Sequence, residues 1–191
     1  KAYVKDAGLK MPNTPKWGWE DSFPMSNITW NDAIEYCNWL SIKHGLEPAY
    51  KRRGSYPFCN FEASGYRMPT ESEWEFAARG GNKSKGFLYV GANDPDRMSW
   101  HQNNSDARPH TVGTRYANEL GLYDMNGNVW EWCWDIYDEK YYNDIKKELT
   151  SAENPKGATD GEYRVIKGGS WDSKVSFLRP ANKVRTVPSQ V

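Results

Sequence analysis

Apolar residues recur at helical spacing in two stretches of the chain. The first stretch runs from about Trp30 to His44. Its apolar stripe consists of Trp30, Ile34, Cys37 and Leu40. Thr29 or Asn31 can cap the start, and Gly45 follows where a left-handed residue commonly ends a helix. The pattern predicts a first helix over this stretch.

A second helix is predicted just after Met68-Pro69. Thr70 and Glu73 have the spacing of a capping box, in which each side chain binds a free amide at the other's position. The apolar stripe is Trp74, Ala77 and Ala78. Gly80 and Gly81 then end the helix.

The remaining apolar runs are short and are separated by Gly, Pro, Asn and Asp every few residues, which indicates turns. Four runs are strand candidates: Phe87–Val90, Thr111–Gly113, Val129–Trp132 and Tyr163–Lys167. The polar stretch from Asp138 to Gly161 is interpreted as a surface excursion. The fold class is therefore α+β with much loop, in a single domain over residues 1–191. Long loops in a compact domain usually need a metal or a ligand to hold them.

The charge and hydropathy of the chain limit the kinds of partner that it is expected to bind. Lys plus Arg and Asp plus Glu each total 25, so the formal net charge is +0. This balance argues against nucleic acid or an anionic membrane as the main partner. Mean hydropathy is −0.91 and no apolar run is long enough to span a bilayer, so no transmembrane segment is expected. The charged opening from Lys1 to Asp6 does not resemble a signal peptide.

Cysteine and histidine suggest no catalytic or zinc site. Cys37 lies on the helical stripe, where a buried thiol is the usual interpretation, and pairing of Cys59 with Cys133 stays open. No local motif supplies a base for a nucleophilic cysteine. The histidines are not spaced as metal ligands; they are His44, His101 and His110.

The turn around Gly127 has two interpretations. Asp124, the carbonyls of the turn and Glu131 fall within eight residues, and calcium prefers several oxygen ligands in a compact loop. The alternative is an Asn-Gly hairpin between two aromatic strands. The residues alone favour neither.

Three ordered motifs resemble the signatures of the formylglycine-generating-enzyme family, also called the sulfatase-modifying-factor domain. They are GYRMPTESEWEFAARG (65–80), GLYDMNGNVWEW (121–132) and YRVIKGGSW (163–171), with NITWNDA (27–33) upstream. The resemblance covers residues 23–185. The family's first strand, Gly-Gly-x-Phe-x-Met-Gly, and its closing Gly-Phe-Arg strand have no counterpart, so the chain looks like a trimmed version of that domain.

The resemblance implies a C-type-lectin-like fold and a structural calcium ion. Its ligands would be the side chains of Asp124 and Glu131 and the carbonyl oxygens of Gly127 and Val129. The ion would tie together loops that lack a hydrogen-bonded ladder of their own.

The resemblance also exposes a departure at the family's active site. Oxidase members carry two cysteines after Gly-Gly-Ser, five residues apart, which bind copper(I) and attack a substrate cysteine. Those positions are Ser173 and Leu178 here. Because copper(I) is held by soft thiolates, we expect no copper, no catalytic residues and no enzyme activity. The alternative is a copper-dependent oxidase that modifies a sulfatase cysteine.

Non-catalytic members of the family are binding modules, among them variable proteins of diversity-generating retroelements, lipoproteins and kinase-fused domains. The resemblance places a ligand surface, for a protein ligand, in segment 171–185, either diversified or an ordinary divergent loop. Its candidate residues are Trp171, Asp172, Ser173, Lys174, Val175, Ser176, Phe177, Leu178 and Arg179. The family also suggests an exported or cell-surface location.

Overall fold

Helices and short strands joined by long irregular segments make up the computed structural model, which describes residues 1–53, 56–148 and 153–190. The helices within these ranges are α1 (Ala2–Asp6), α2 (Trp30–Lys43), α3 (Glu71–Ala78), α4 (Pro95–Met98) and α5 (Tyr141–Glu148). The strands are β1 (Tyr50–Arg53), β2 (Tyr56–Cys59), β3 (Glu131–Ile136), β4 (Arg164–Lys167) and β5 (Val184–Thr186). The predicted α+β class with much loop is confirmed.

Helices α2 and α3 lie where the apolar patterns predict them, and both start with a complete capping box. Thr29, not Asn31, caps α2, and its partner is Asp32. Thr70 and Glu73 form the predicted box at the start of α3. These reciprocal bonds satisfy amides that the first turn leaves without a partner, and a cap of this kind is worth about 1 kcal/mol.

The buried side of α2 is close to the predicted stripe. Trp30 and Ile34 are buried, but the next fully buried position is Ser41 rather than Leu40. The Ser41 hydroxyl donates to the Cys37 carbonyl at 2.7 Å and accepts the Tyr66 amide at 2.8 Å. A hydrogen-bonded serine can therefore occupy a core position that hydropathy assigns to an apolar residue.

Strand β3 lies between the two clusters of buried apolar residues. It pairs with β4, and β4 pairs with β5, in an antiparallel sheet, while β1 and β2 form a separate hairpin. Successive side chains of a strand point to opposite faces. Trp132 and Trp134 pack against the cluster that contains Trp30 of α2, whereas Cys133 belongs to the cluster that contains Trp74 of α3.

Two strand predictions are wrong. Residues 87–90 and 111–113 are irregular, because loop partners take their backbone donors. The Leu88 amide donates to the Asn93 side chain at 2.8 Å, and the Val112 amide donates to the Ser22 carbonyl at 2.9 Å. The Tyr163–Lys167 prediction is confirmed by β4, and Val129–Trp132 overlaps only the start of β3.

Part of the predicted surface excursion, residues 138–161, forms α5, while residues 149–152 of that stretch lie outside the described ranges.

The three cysteines are all free, so Cys59 and Cys133 are not paired. Burial raises the pKa of the Cys37 and Cys59 thiols to about 11, which makes them poor nucleophiles at neutral pH. None of the helices within the described ranges is long and apolar enough to cross a membrane.

Candidate functional site

Two of the sequence motifs hold each other directly. The Gly127 amide donates to the Gly168 carbonyl at 2.8 Å, and the Trp171 amide donates to the Asn128 carbonyl at 2.8 Å. These two bonds fasten the turn after Asp124 to the Gly-Gly-Ser-Trp segment. The candidate metal turn and the candidate ligand surface are therefore one connected structure.

Gly127 has to be glycine for two reasons. Its φ is +84°, in the left-handed region, and a Cβ atom there would lie 2.2 Å from the Trp100 carbonyl oxygen. The neighbouring Asn128 amide donates to that same carbonyl at 2.8 Å. The main chain of the turn thus packs closely against the segment that contains Trp100.

The buried Asn128 side chain fixes the turn from the other side. Its Oδ1 accepts the His110 amide at 3.0 Å, and its Nδ2 donates to the His110 carbonyl at 3.1 Å. The His110 ring stacks on Trp100 at 3.7 Å between centroids. Hydropathy and motif spacing gave no signal for these contacts, which join segments far apart in the chain.

Asp124 and Glu131 line a cavity of about 350 Å³, which we call the carboxylate cavity. Its lining is Pro24, Val112, Gly113, Tyr123, Asp124, Asn128, Val129 and Glu131. Oδ2 of Asp124 accepts the Gly113 amide at 2.7 Å, but Oδ1 is buried and accepts no hydrogen bond from the described residues. Oε2 of Glu131 accepts the indole N–H of Trp74.

The carboxylate cavity is short of positive charge. No Lys, Arg or His belongs to its lining among the described residues. Desolvation, and secondarily the charge of Asp124, raises the pKa of Glu131 to about 7. Without a cation, Glu131 therefore keeps its proton to a higher pH than an ordinary glutamate does.

The two carbonyls that the resemblance adds also lack partners. Within the described parts of the chain, neither the Gly127 nor the Val129 carbonyl oxygen accepts a hydrogen bond. No group of three or more His, Cys, Asp or Glu side chains that could hold a metal occurs in those same parts. An ion at this turn would need backbone oxygens, which suits a hard cation such as calcium. The hairpin alternative is wrong, because β3 pairs with β4 and not with the segment before the turn.

The positions that hold cysteines in the oxidases meet around Gly169. A Cβ atom on Gly169 would lie 2.8 Å from Leu178 Cδ2 and 3.5 Å from Ser173 Cβ. The Ser173 hydroxyl accepts the Ser170 amide at 2.9 Å and lies 3.1 Å from the Ser170 hydroxyl. This place therefore contains a hydroxyl and a branched alkyl group, with no sulfur from either position.

The candidate ligand surface divides into exposed and interior residues. Leu178 is 0% exposed, so the expectation that its side chain faces a ligand is wrong, whereas Ser173 is 8% exposed and still lines a surface cavity. Leu178 ends a short 3₁₀ turn, residues 175–178, and its side chain fills the space over Gly169. Trp171 and Val175 are partly exposed. The exposed members are Asp172, Lys174, Ser176, Phe177 and Arg179.

Three of the exposed residues, Asp172, Lys174 and Phe177, border a shallow cavity of about 290 Å³. Its lining is Gln102, Trp130, Asp172, Ser173, Lys174 and Phe177. The Trp130 and Phe177 rings meet edge to face at 6.4 Å, and the Gln102 amide donates to the Ser173 carbonyl at 3.1 Å. Gln102 and Trp130 are members of this surface that the motif alone did not indicate.

Comparison with known proteins gives relatives of several kinds. "Chaperone protein LppX" of Paenibacillus barcinonensis is 37% identical over 185 residues, which cover 80% of this chain and 60% of that protein. "Inactive C-alpha-formylglycine-generating enzyme 2" of Bos taurus is 30% identical over 180 residues, 88% of this chain and 46% of that protein. The chain thus spans only part of the length of these relatives.

Among solved structures, "Treponema denticola variable protein 1" superposes with a TM-score of 0.79 at 27% identity, covering 98% of this chain and 75% of that chain. The model of the "Sulfatase-modifying factor enzyme 1-like domain" matches residues 4–191. The motifs, the fold and this match agree, and the chain belongs to the sulfatase-modifying factor enzyme 1-like domain family.

Proposed function

We propose that this domain is a non-catalytic binding module with a C-type-lectin-like scaffold, which binds a protein ligand through the exposed part of segment 171–185. A structural calcium ion at the turn below stabilises that surface. The observation that carries the proposal is the arrangement around Gly169, where Ser173 and Leu178 meet in place of two thiols. The chain retains the family's scaffold but lacks the two thiols that would hold copper.

The chemistry of the thiols supports the absence of oxidase activity. Copper(I) prefers soft thiolate ligands, and neither a hydroxyl nor an alkyl side chain replaces them. The cysteines of the chain are buried or partly buried elsewhere, and burial raises the pKa of each thiol. The similarity to an inactive bovine protein of the same family is consistent with this proposal.

The calcium ion is supported by the fit of the residues. Asp124 has a buried oxygen without a partner, Glu131 shares its cavity, and two carbonyls of the turn are unbonded within the described ranges. These groups would be the side-chain ligands Asp124 and Glu131 and the backbone ligands Gly127 and Val129. The ion would neutralise two desolvated carboxylates and brace the turn that holds Trp171.

The protein ligand is supported by the mixed character of the exposed face. Phe177 is 39% exposed and shares a shallow cavity with Asp172 and Lys174, and Arg179, two residues further along the chain, is also exposed. Aromatic and arginine side chains at the centre of a surface are typical of protein interfaces. The similarity to a variable protein also favours a binding role, whether or not segment 172–183 is diversified. From the family resemblance we also propose an exported or cell-surface location.

Site-specific photocrosslinking tests the surface. A photoreactive phenylalanine analogue is placed at Phe177, or as a control at Tyr116, which is 62% exposed and not part of the surface. Irradiation of producing cells should give a discrete protein adduct from position 177 and none from position 116. Equal labelling, or no adduct from position 177, would overturn the surface assignment.

The oxidase alternative has its own assay. The purified domain is loaded with copper(I) under reducing conditions and incubated with a cysteine-containing sulfatase peptide and oxygen. We expect neither stoichiometric copper binding nor an aldehyde on the peptide. Formation of the aldehyde above the level seen without protein would instead establish the alternative.

A further inference from the structure

A second, larger cavity lies next to the carboxylate cavity, and we call it the tryptophan cavity. Its volume is about 600 Å³, within the usual range for small-molecule sites. The described residues that line it include no Lys, Arg or His. Four indoles and two carboxylates contribute to its wall: Trp17, Trp130, Trp132, Trp171, Glu131 and Asp172.

Five of the six tryptophan rings outside this cavity have a cation from the described part of the protein near the ring. The Arg115 guanidinium lies 3.6 Å from the Trp100 ring centroid, and that of Arg164 lies 3.8 Å from the centroid of Trp30. Further pairs at 5.3–5.7 Å are Arg164 with Trp134, Lys167 with Trp74 and Lys43 with Trp39. Placing a cation over an indole face is a recurrent feature of this fold.

The indoles of the tryptophan cavity are different. None of the four has a Lys or Arg of the described residues over its ring, and each is partly exposed. The rings of Trp17 and Trp171 meet at 5.6 Å with an interplanar angle of 76°. Two nearly perpendicular indole walls, with two more indoles lining the same cavity, provide the elements of an aromatic cage.

The charge of the cavity has the sign that such a cage needs. Asp172 is exposed and forms no ion pair within the described residues, so its carboxylate is available to a ligand in the cavity. Glu131 lines both cavities, and bound calcium would neutralise it. Asp172 therefore supplies a negative charge that does not depend on the metal.

We propose that the tryptophan cavity binds a quaternary ammonium group, with the methyl groups against the four indoles and Asp172 as the counter-ion. A quaternary ammonium is weakly hydrated and donates no hydrogen bonds, so indole faces can replace its water. A primary ammonium is a compact, strongly hydrated charge, so it would lose more hydration against the indole faces, and the Asp172 carboxylate would offset only part of that loss. The inference rests on the proposed binding function, since Trp171 and Asp172 also belong to the ligand surface.

The first experiment compares choline with its neutral isostere, 3,3-dimethylbutan-1-ol, in which carbon replaces the nitrogen. Binding is followed by tryptophan fluorescence and calorimetry, with calcium and with chelator. We expect saturable choline binding, with the isostere and ethanolamine each at least about tenfold weaker. Equal affinity for choline and the isostere, or no saturable binding of choline, would overturn the proposal.

Substitutions in the wall of the tryptophan cavity test where the quaternary ammonium group binds. Trp17→Leu and Trp171→Leu should each weaken choline binding about tenfold, while Trp39→Leu, outside the cavity, should leave it unchanged. Asp172→Asn should weaken it several-fold, and Asp160→Asn, also exposed, should not. Thermal melts check that each variant is folded. Unchanged binding in the folded Trp17, Trp171 and Asp172 variants would contradict the assigned site.

The quaternary ammonium group can belong to a small molecule or to a trimethylated lysine in a polypeptide. A trimethyl-lysine peptide that binds more tightly than choline, and more tightly than its unmodified form, identifies a polypeptide source. Equal or weaker binding of the peptide identifies a small molecule. Choline binding without a crosslink at Phe177 would reject the protein-ligand function and leave the cage standing, whereas a crosslink without choline binding would do the reverse.

Discussion

The ammonium nitrogen of Lys167 lies 3.3 Å from Oε2 of Glu75, although the lysine side chain is 0% exposed. The same nitrogen is 3.8 Å from Oε1 of Glu71, and Lys183 lies 3.1 Å from Oε2 of that residue. Four alternating charges thus connect α3 to β4 and to Lys183, the residue before β5. A buried network of this kind is sensitive to the loss of any one member.

Replacing Lys167 by methionine should lower the free energy of unfolding by about 3–5 kcal/mol, because Glu75 and Glu71 would lose a buried partner. The matched control is Lys140→Met at an exposed position, which should change stability by less than about 0.5 kcal/mol. Urea unfolding measures both. A Lys167→Met protein as stable as wild type would show that the network contributes no net stability.

Asp135 should make stability depend on pH. It is 1% exposed, and desolvation, followed by the charge of Glu71, raises its pKa from 3.8 to about 7. Because the folded state binds the proton more tightly than the unfolded state, this contribution is full below about pH 4. It is lost as pH rises towards 7, at up to about 1.4 kcal/mol per pH unit.

Asp135→Asn removes that titration and keeps an oxygen to accept the Glu71 amide, which Asp135 Oδ2 accepts at 2.8 Å. We expect a smaller loss of stability between pH 4.5 and 7 than in wild type, by urea unfolding at fixed calcium. Asp160→Asn, at an exposed position, should follow the wild-type curve. Identical curves for wild type and Asp135→Asn would disprove the raised pKa.

Leu178 and Phe177 are neighbours with opposite predicted effects. Leu178→Ala should lower the free energy of unfolding by about 2–5 kcal/mol, because its side chain is fully buried over Gly169. Phe177→Ala should cost less than about 1 kcal/mol, because that ring is 39% exposed. Chemical denaturation of both variants measures the two free energies of unfolding. The reverse order would place the 3₁₀ turn in a different orientation.

Calcium should raise the melting temperature, since a ligand that binds only the folded state stabilises it, by about 2.7 kcal/mol at a hundredfold excess over Kd. Chelation should reverse the effect. Asp124→Asn preserves an acceptor for the Gly113 amide but removes the charge, so its melting should respond little to calcium. The exposed control Glu162→Gln should respond like wild type. A wild-type protein indifferent to chelator would reject the site.

The sequence predicts those parts of the fold whose determinants are local. Helices α2 and α3 each have their apolar stripe and cap within one continuous stretch, and β4 is centred on the β-branched pair Val165 and Ile166. Residues 87–90 and 111–113 also suggest strands, but the nearby Asn93 side chain and the remote Ser22 carbonyl take backbone donors of these segments. Propensity cannot detect such competition.

In the candidate site, too, the sequence predicts what is local and misses contacts between distant segments. Asp124 and Glu131 are close in sequence, and the motif indicated both as candidate calcium ligands; the structure places both in the lining of one cavity. The contacts of Asn128 with His110, and the meeting of Trp17 with Trp171, join segments that only the folded chain brings together. The interior position of Leu178 likewise depends on Gly169 and is not visible in hydropathy.

Val129 and Glu131 line both cavities, so the same short piece of chain forms the wall between them. An occupant on one side would therefore contact groups that an occupant on the other side also meets. Thermodynamic linkage makes any such effect reciprocal. If calcium changes the affinity for a quaternary ammonium by some factor, that ligand must change the affinity for calcium by the same factor. The calcium affinity of the domain would then depend on whether the tryptophan cavity is occupied.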